Sequence, residues 1–472
     1  MEDFYAYDEE FRDNISTVDD EGKRIWVYPK KPKGNFHNAR LWVTIVLLGL
    51  LFTGPFLTWK ENPMFLFNIF ERKFILFGTP FWPQDFIILG IAMITFFVFI
   101  ILFTVVFGRI WCGWACPQTL FMEMVFRKIE YWIEGDANQQ RKLDQAPWNK
   151  EKIIKKGTKH LIFILISILI SHTLMAYLIG KDQVIEIISQ SPAAHMSGFI
   201  GLVFFTGVFY WVFSVFREQA CTVVCPYGRL QGVLLDKQSI VVAYDWLRGE
   251  PRGKLKKAQP EENKGDCIDC KLCVHVCPTG IDIRHGTQLE CVNCTACIDA
   301  CDDVMIKIDK PTGLIRYDSY SGIKEKKKLG FNARILAYSI VLLGLFSLLT
   351  FLIFSRSDVD VTIFRVPGML YQEQENNRIS NLYNIQFVNK TYEDISLELH
   401  LKGVSNGAVK KVGDGGINIL ANESTEGTFF IELPKEHLTG RKTAISLLVY
   451  NNGKLIDEIK TNFLGPFITT SQ

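Results

Sequence analysis

The groups in this chain that could do chemistry are mostly thiols. All 12 cysteines lie between Cys112 and Cys301. CxxC and CxxxC spacings suit metal ligation by thiolates in a reducing compartment better than a disulfide framework. Cys267-Ile-Asp-Cys270-Lys-Leu-Cys273-Val-His-Val-Cys277-Pro278 reads C-x2-C-x2-C-x3-C-P, and Cys291-Val-Asn-Cys294-Thr-Ala-Cys297-Ile-Asp-Ala-Cys301 repeats the spacing. This is the double ferredoxin run for two [4Fe–4S] clusters, in which the fourth cysteine of each run serves the other cluster. Three thiolates at two-residue gaps wrap three irons of one cube, and the fourth, on the following short helix, reaches its neighbour. One cluster then takes Cys267, Cys270, Cys273 and Cys301; the other takes Cys291, Cys294, Cys297 and Cys277. Structural zinc is the alternative, but zinc sites rarely repeat this spacing twice. Asp302 replaces the second Pro, which shapes the chain and supplies no ligand. His275 and His285 lie nearby and read as surface residues, since the thiolates suffice.

Two further pairs share one spelling, Cys112-Gly-Trp-Ala-Cys116-Pro117 and Cys221-Thr-Val-Val-Cys225-Pro226. Pro favours the first turn of a helix, so each pair ends at a helix N-terminus, where the dipole lowers a thiol pKa. Arg109 and Arg217 are expected to act in the same direction. Four thiolates brought together would bind a soft ion such as Cu(I), or a further metal or cluster. Redox-active dithiols are a second reading, and small apolar residues at helix ends a third. His172 and Met175, at i, i+3 spacing, and His195 with Met196 are weaker copper or haem candidates; buried packing and loop positions explain them as well.

These motifs need elements to hold them. Five runs, roughly 41–59, 87–107, 161–180, 198–216 and 335–354, contain no Asp, Glu, Lys or Arg. Each is about as long as a bilayer span requires, near 20 residues. The chain is 48% hydrophobic and 13% aromatic, which fits a membrane protein with water-exposed parts. A net charge of +2 excludes a whole-chain nucleic-acid binder. The first run follows about 40 polar residues and reads as a signal anchor, not a cleaved signal peptide. The stretch 64–82, broken by Glu71, Arg72 and Lys73, reads as an interfacial or re-entrant loop.

Basic residues crowd the segments before the first run, between the second and third, and before the fifth, where Lys324, Lys326, Lys327, Lys328 and Arg334 stand. The positive-inside rule then puts the N-terminus in the cytoplasm and the C-terminus outside, with every cysteine at the cytoplasmic face. Lys60, Arg72 and Lys73, between the first two runs, dissent mildly. The basic runs read as topology signals and membrane-lipid contacts. From about 357 onward, β-type runs at 383–388, 396–401, 429–433 and 444–450 are separated by turns, and Asn452-Gly453 is a preferred two-residue hairpin turn. An all-β, immunoglobulin-like sandwich follows, read as an interaction domain.

The expected architecture is a multi-domain membrane protein: a helical transmembrane bundle of about five helices, an α+β ferredoxin-like domain and a C-terminal all-β sandwich. Its segments are 1–36, a cytoplasmic N-terminal segment; 37–257, a membrane domain with four spans and both CxxxCP pairs; and 258–320, the ferredoxin-type domain. The fifth span, 331–355, leads to the periplasmic β domain, 356–472.

With these residues in place the chain resembles the FixG/RdxA/CcoG family, membrane polyferredoxins that are accessory to cbb3-type cytochrome c oxidase assembly. The resemblance rests on both CxxxCP pairs, on Cys277-Pro278-Thr-Gly-Ile-Asp-Ile-Arg284, on Cys297-Ile-Asp-Ala-Cys301, on Gly313-Leu-Ile-Arg-Tyr317 and on the final span with its β tail. It implies a bacterial inner-membrane protein that reduces Cu(II) to Cu(I) during oxidase maturation. Cys112, Cys116, Cys221 and Cys225 are then the catalytic and metal-holding residues. Partners would be oxidase assembly factors or a copper chaperone, an unidentified electron donor, and a further copy of the chain. The rival functions are a quinol-linked electron conduit to a partner enzyme and an assembly scaffold with structural clusters.

Overall fold

The computed structural model describes residues 17–466 apart from 20, 60–61, 71, 255–263, 327–332, 367, 369, 376, 405 and 414–415. Lys60, Glu71, Lys327, Lys328, the first 16 residues and the starts of the segments at 258 and 331 therefore lie outside the described residues. The chain divides into two compact units, one of residues 1–57, 65–70 and 90–348, the other of 58–64, 71–89 and 349–472.

Five helices are long and apolar enough to cross a membrane: Asn35–Phe56, Pro83–Phe107, Lys150–Ile179, Met196–Phe216 and Ala333–Phe354. They coincide with the five uncharged runs. Phe96, Phe97, Leu165 and Phe204 face outward on them, as lipid-facing positions must. The third begins at Asn149, whose side chain accepts from the Lys152 amide at 2.8 Å, and ends at Gly180 with φ 92°. Phe126, beyond the second span, packs on the third and fourth: it stacks on Phe213 at 4.5 Å and meets Phe163 edge-on at 4.7 Å.

Beyond the spans, the first unit carries the ferredoxin-type fold. Val241–Tyr244 pairs antiparallel with Ile315–Asp318, beside the helices Leu272–His275 and Ala296–Lys307. The two halves repeat one backbone shape. Asp269 and Asn293, at the third position of each run, take φ 52° and 54°; Lys271 and Thr295, at the fifth, take 55° and 66°. Asp and Asn tolerate this left-handed conformation better than most residues, so the chain curls between successive cysteines in the same way twice. Asp302 has a use of its own, accepting from the Gly313 amide at 2.8 Å.

The second unit is a β sandwich. One antiparallel sheet runs Ala408–Lys411, Ser424–Pro434, Arg378–Asn389, Val359–Arg365, with Gln372–Gln374 also on Arg378–Asn389. The other runs Ile417–Ile419, Ile395–Leu401, Lys442–Asn451, Lys454–Leu464. Tyr383, Ile385, Phe387, Ile431, Leu447, Val449 and Phe463 fill the core between them. Asn452 and Gly453 both take positive φ, 48° and 78°, at the hairpin between the last two strands. Part of the 64–82 stretch belongs to this unit as a second hairpin, Lys73–Leu76 with Thr79–Phe81. Nearby, buried Asp85 accepts from Lys390 at 2.6 Å and from Arg356 at 2.7 Å. The segment before the second span and the segment after the fifth are therefore joined by a buried ion cluster.

Candidate metal centre

The eight ferredoxin thiols surround two cavities of about 350 and 360 Å³. Cys267, Cys270, Cys273 and Cys301 line one; Cys277, Cys291, Cys294 and Cys297 line the other, with Cys273 shared at the wall between them. The crossed set read from spacing is thus the set that the fold brings together. The remaining walls are largely apolar, from Tyr244, Ile283, Val292, Leu314 and Ile315. Among the described residues no three His, Cys, Asp or Glu groups are arranged to hold a single ion. Four soft donors around each largely apolar cavity fit a cubic iron–sulfur cluster. Backbone amides of Thr279, Gly280 and Ile281 reach Cys277, those of Asn293 and Ala296 reach Cys291 and Cys294, and such hydrogen bonds tune cluster potential. Burial pushes the Cys273, Cys291 and Cys301 thiols up to about 12, so metal loading must displace protons. His275 is exposed and His285 half-buried.

The four remaining thiols also come together. Cys221 is within electrostatic range of Cys112, Cys116 and Cys225, and Cys112 is within range of Cys116 and Cys225. Cys112 donates to Gln231 Oε1 at 3.3 Å, and Thr119 Oγ1 lies 4.0 Å from Cys221 Sγ, so each pair touches the helix that follows the other. Cys116 and Cys225 are the N-caps of helical runs opened by Pro117 and Pro226. The first Cys of each pair lies away from these helix N-termini and is governed by burial. Burial pushes Cys112 up to about 11, against Arg109, and Cys221 up to about 12. Arg217 does not serve its thiol; it makes a fork-like pair with Glu130 at 2.7 and 3.1 Å.

A backbone contact joins this group to the ferredoxin fold. A β-carbon on Gly113 would lie 2.5 Å from the Val292 carbonyl oxygen and 2.7 Å from that of Asn293. Only glycine permits the approach, so Cys112–Cys116 is seated directly on Cys291–Cys294. Arg109 reinforces it by donating to the Leu289 and Gly228 carbonyls. The basic residues read as topology signals have this further, structural work. Arg24, Arg127, Arg217, Lys156 and Lys159 interleave with Glu123, Glu130, Glu134, Asp144 and Glu218 in one chain of ion pairs. Arg127 and Glu218 span the two CxxxCP segments at 3.5 Å. Leu120–Phe126, Val212–Phe216 and Ala220–Val224 are wound as π-helix around the same thiols, a distortion common at functional sites. The alternative ligands do not assemble: His172 Nδ1 lies 2.7 Å from the Ile168 carbonyl oxygen, while Met175 is buried against Ala176, Val184 and Leu202. His195 sits 3.9 Å from Glu186.

Fold and site together define a membrane iron–sulfur electron-transfer protein. Residues 216–320 match the 4Fe-4S dicluster domain, 89–135 a 4Fe-4S binding domain, and 349–466 the Ig-like fold at the C-terminal of FixG. The chain is 33% identical to protein RdxB of Cereibacter sphaeroides, over 87% of this chain and 89% of that one. It is 34% identical to RdxA of the same organism, covering 84% and 86%, and 30% identical to the nitrogen fixation protein FixG of Rhizobium meliloti, covering 90% of each. The chain belongs to the FixG/RdxA family.

Proposed function

We propose that this protein reduces Cu(II) to Cu(I) at Cys112, Cys116, Cys221 and Cys225, for maturation of a cbb3-type cytochrome c oxidase. The observation that carries the reading is the Gly113 contact, which holds a soft-donor set against the ferredoxin cysteines. When bound, the two clusters supply single electrons at low potential. The chain's own part is to gather four thiols in a poorly hydrated place at the ends of two spans. Cu(II) plus one electron gives Cu(I), which thiolates hold better than harder ligands do. Replacing Cys112 and Cys116 by Ser, or Cys221 and Cys225 by Ser, is expected to abolish copper binding to an equal degree, with ferredoxin iron retained. Wild-type copper binding in both would sink the reading.

The membrane is the bacterial inner membrane, with the thiols and ferredoxin fold on the cytoplasmic side and the β sandwich in the periplasm. Fusions of an export reporter after residues 59 and 366 should be active, and fusions near Gln140 and Lys310 inactive. The opposite pattern reverses the orientation. Oxidase assembly factors or a copper chaperone take the Cu(I), and a separate donor restores the electrons.

One observation favours a second reading. The 4Fe-4S match over 89–135 contains Cys112 and Cys116 and no other cysteine. On that reading the four thiols hold a third cluster. Iron analysis of anaerobically purified protein separates the two, at about eight irons per chain against about twelve.

A further inference from the structure

A third cavity, of about 320 Å³, lies between the start of the first span and the helical run that follows Cys116. Lys31, His37, Arg40 and Lys128 converge on it from three parts of the chain, beside Glu123 and Tyr131. Arg40 is only 4% exposed. Its Nε donates to the Gly113 carbonyl at 2.6 Å, but its Nη2 is buried without a partner. Glu123 does not neutralise the group, because its carboxylate is 2.9 Å from Arg127. The Tyr131 hydroxyl is engaged elsewhere, donating to the Pro29 carbonyl at 3.0 Å. Asp299 is also near, but its two oxygens accept the Phe36 and His37 amides at 3.1 and 2.7 Å. Asp136 accepts the Lys31 amide at 2.9 Å. Among the described residues no carboxylate lies within ion-pair distance of the Lys31, Arg40 or Lys128 side chains.

Like charges held together in a partly buried place are costly unless an anion joins them. Burial and the neighbouring Lys31 and Arg40 lower the Lys128 ammonium below its ordinary range, the electrostatic mark of an uncompensated cation group. Three cations approaching from different directions suit a tetrahedral oxyanion better than a planar carboxylate, which one guanidinium satisfies. We infer that the cavity between Lys31, Arg40 and Lys128 binds a phosphate group. The phosphate comes either from a phospholipid headgroup, because Arg40 lies in the first turns of a membrane span, or from a soluble phosphorylated molecule entering past exposed Lys31.

The test uses full-length, cluster-loaded protein, delipidated in a non-ionic detergent and phosphate-free buffer. Two probes are offered separately, inorganic phosphate and phosphatidylglycerol, with phosphatidylcholine as the lipid control. Binding is read by native mass spectrometry and by the shift in melting temperature. The comparison protein is Lys31→Gln with Lys128→Gln; both sites are at least partly solvated, and unchanged iron content certifies its fold. Wild type should bind one probe or both, and the double variant at least about tenfold more weakly. Binding of inorganic phosphate assigns the soluble source. Retention of phosphatidylglycerol over phosphatidylcholine, without phosphate binding, assigns the lipid. Equal affinity in wild type and variant, or binding of neither probe by wild type, overturns the inference.

Discussion

The Trp114 indole donates to the Tyr317 hydroxyl at 2.9 Å, and that hydroxyl donates to the Asn293 carbonyl at 3.2 Å. Trp114 lies inside the first CxxxCP pair and Asn293 between two cluster cysteines, so the relay fastens one site to the other beside the Gly113 contact. Gly113→Ala would force its β-carbon against two backbone carbonyls that have nowhere to retreat. It should cost about 1–3 kcal/mol of stability. Ferredoxin iron should remain bound while copper reduction by the chemically reduced protein slows. Iron analysis with a stopped-flow copper assay checks this; wild-type rates would show that the contact positions nothing.

Crossed ligation makes a paired prediction. Cys277→Ser should remove the cluster shared with Cys291, Cys294 and Cys297, although Cys277 is next to the other trio in sequence. Cys301→Ser should remove the cluster of Cys267, Cys270 and Cys273. Iron should fall from about eight to about four in each, with different residual paramagnetic signals. The same residual signal in both variants would mean uncrossed ligation.

Asp85 is buried between Lys390 and Arg356. Lys390 keeps Asp360, but removing Asp85 takes away the carboxylate of buried Arg356, so Asp85→Ala should destabilise the β unit by about 3 kcal/mol. Limited proteolysis is the check, through faster cutting after residue 356 with the iron content unaltered.

Much of this architecture is legible in the sequence because the signals are local. Cysteine spacing groups the thiols that the fold collects around two cavities, uncharged runs mark the five long apolar helices, and Asn452-Gly453 marks a hairpin. What escapes a sequence reading depends on partners far along the chain. Gly113 looks like any glycine until Val292 lies against it. Lys73, a dissenting charge in the topology count, is held by the Asn422 carbonyl at 2.8 Å. Arg127 counts as a positive-inside residue yet is wholly enclosed by Glu123 and Glu218. The burial that raises the Cys112 and Cys221 thiols is likewise set by distant neighbours and is not visible in the spacing.

The ion-pair chain implies acid sensitivity. Burial alone would raise the Glu130 carboxyl, but Arg217, Lys159 and Arg127 hold it below its ordinary value. The unfolded chain therefore takes up the proton first. This contribution is complete above the usual glutamate pKa, about 4.3, and is lost as pH falls through the lower folded value. Melting temperatures between pH 7 and 3 should fall steeply at the acid end for wild type and less so for Glu130→Gln, which starts lower. Parallel curves would remove Glu130 from the acid response.

The most direct measurement is anaerobic. The protein is reduced with dithionite, freed of reductant and mixed with Cu(II), while cluster absorbance and a Cu(I)-specific chelator are followed together. The expected result is reoxidation of both clusters with about two Cu(I) formed per chain, one for each stored electron. It should slow by at least an order of magnitude when Cys112, Cys116, Cys221 and Cys225 are all Ser. Clusters that stay reduced in the presence of Cu(II), or Cu(I) formed equally fast without those four thiols, would contradict a copper-reducing role for this site.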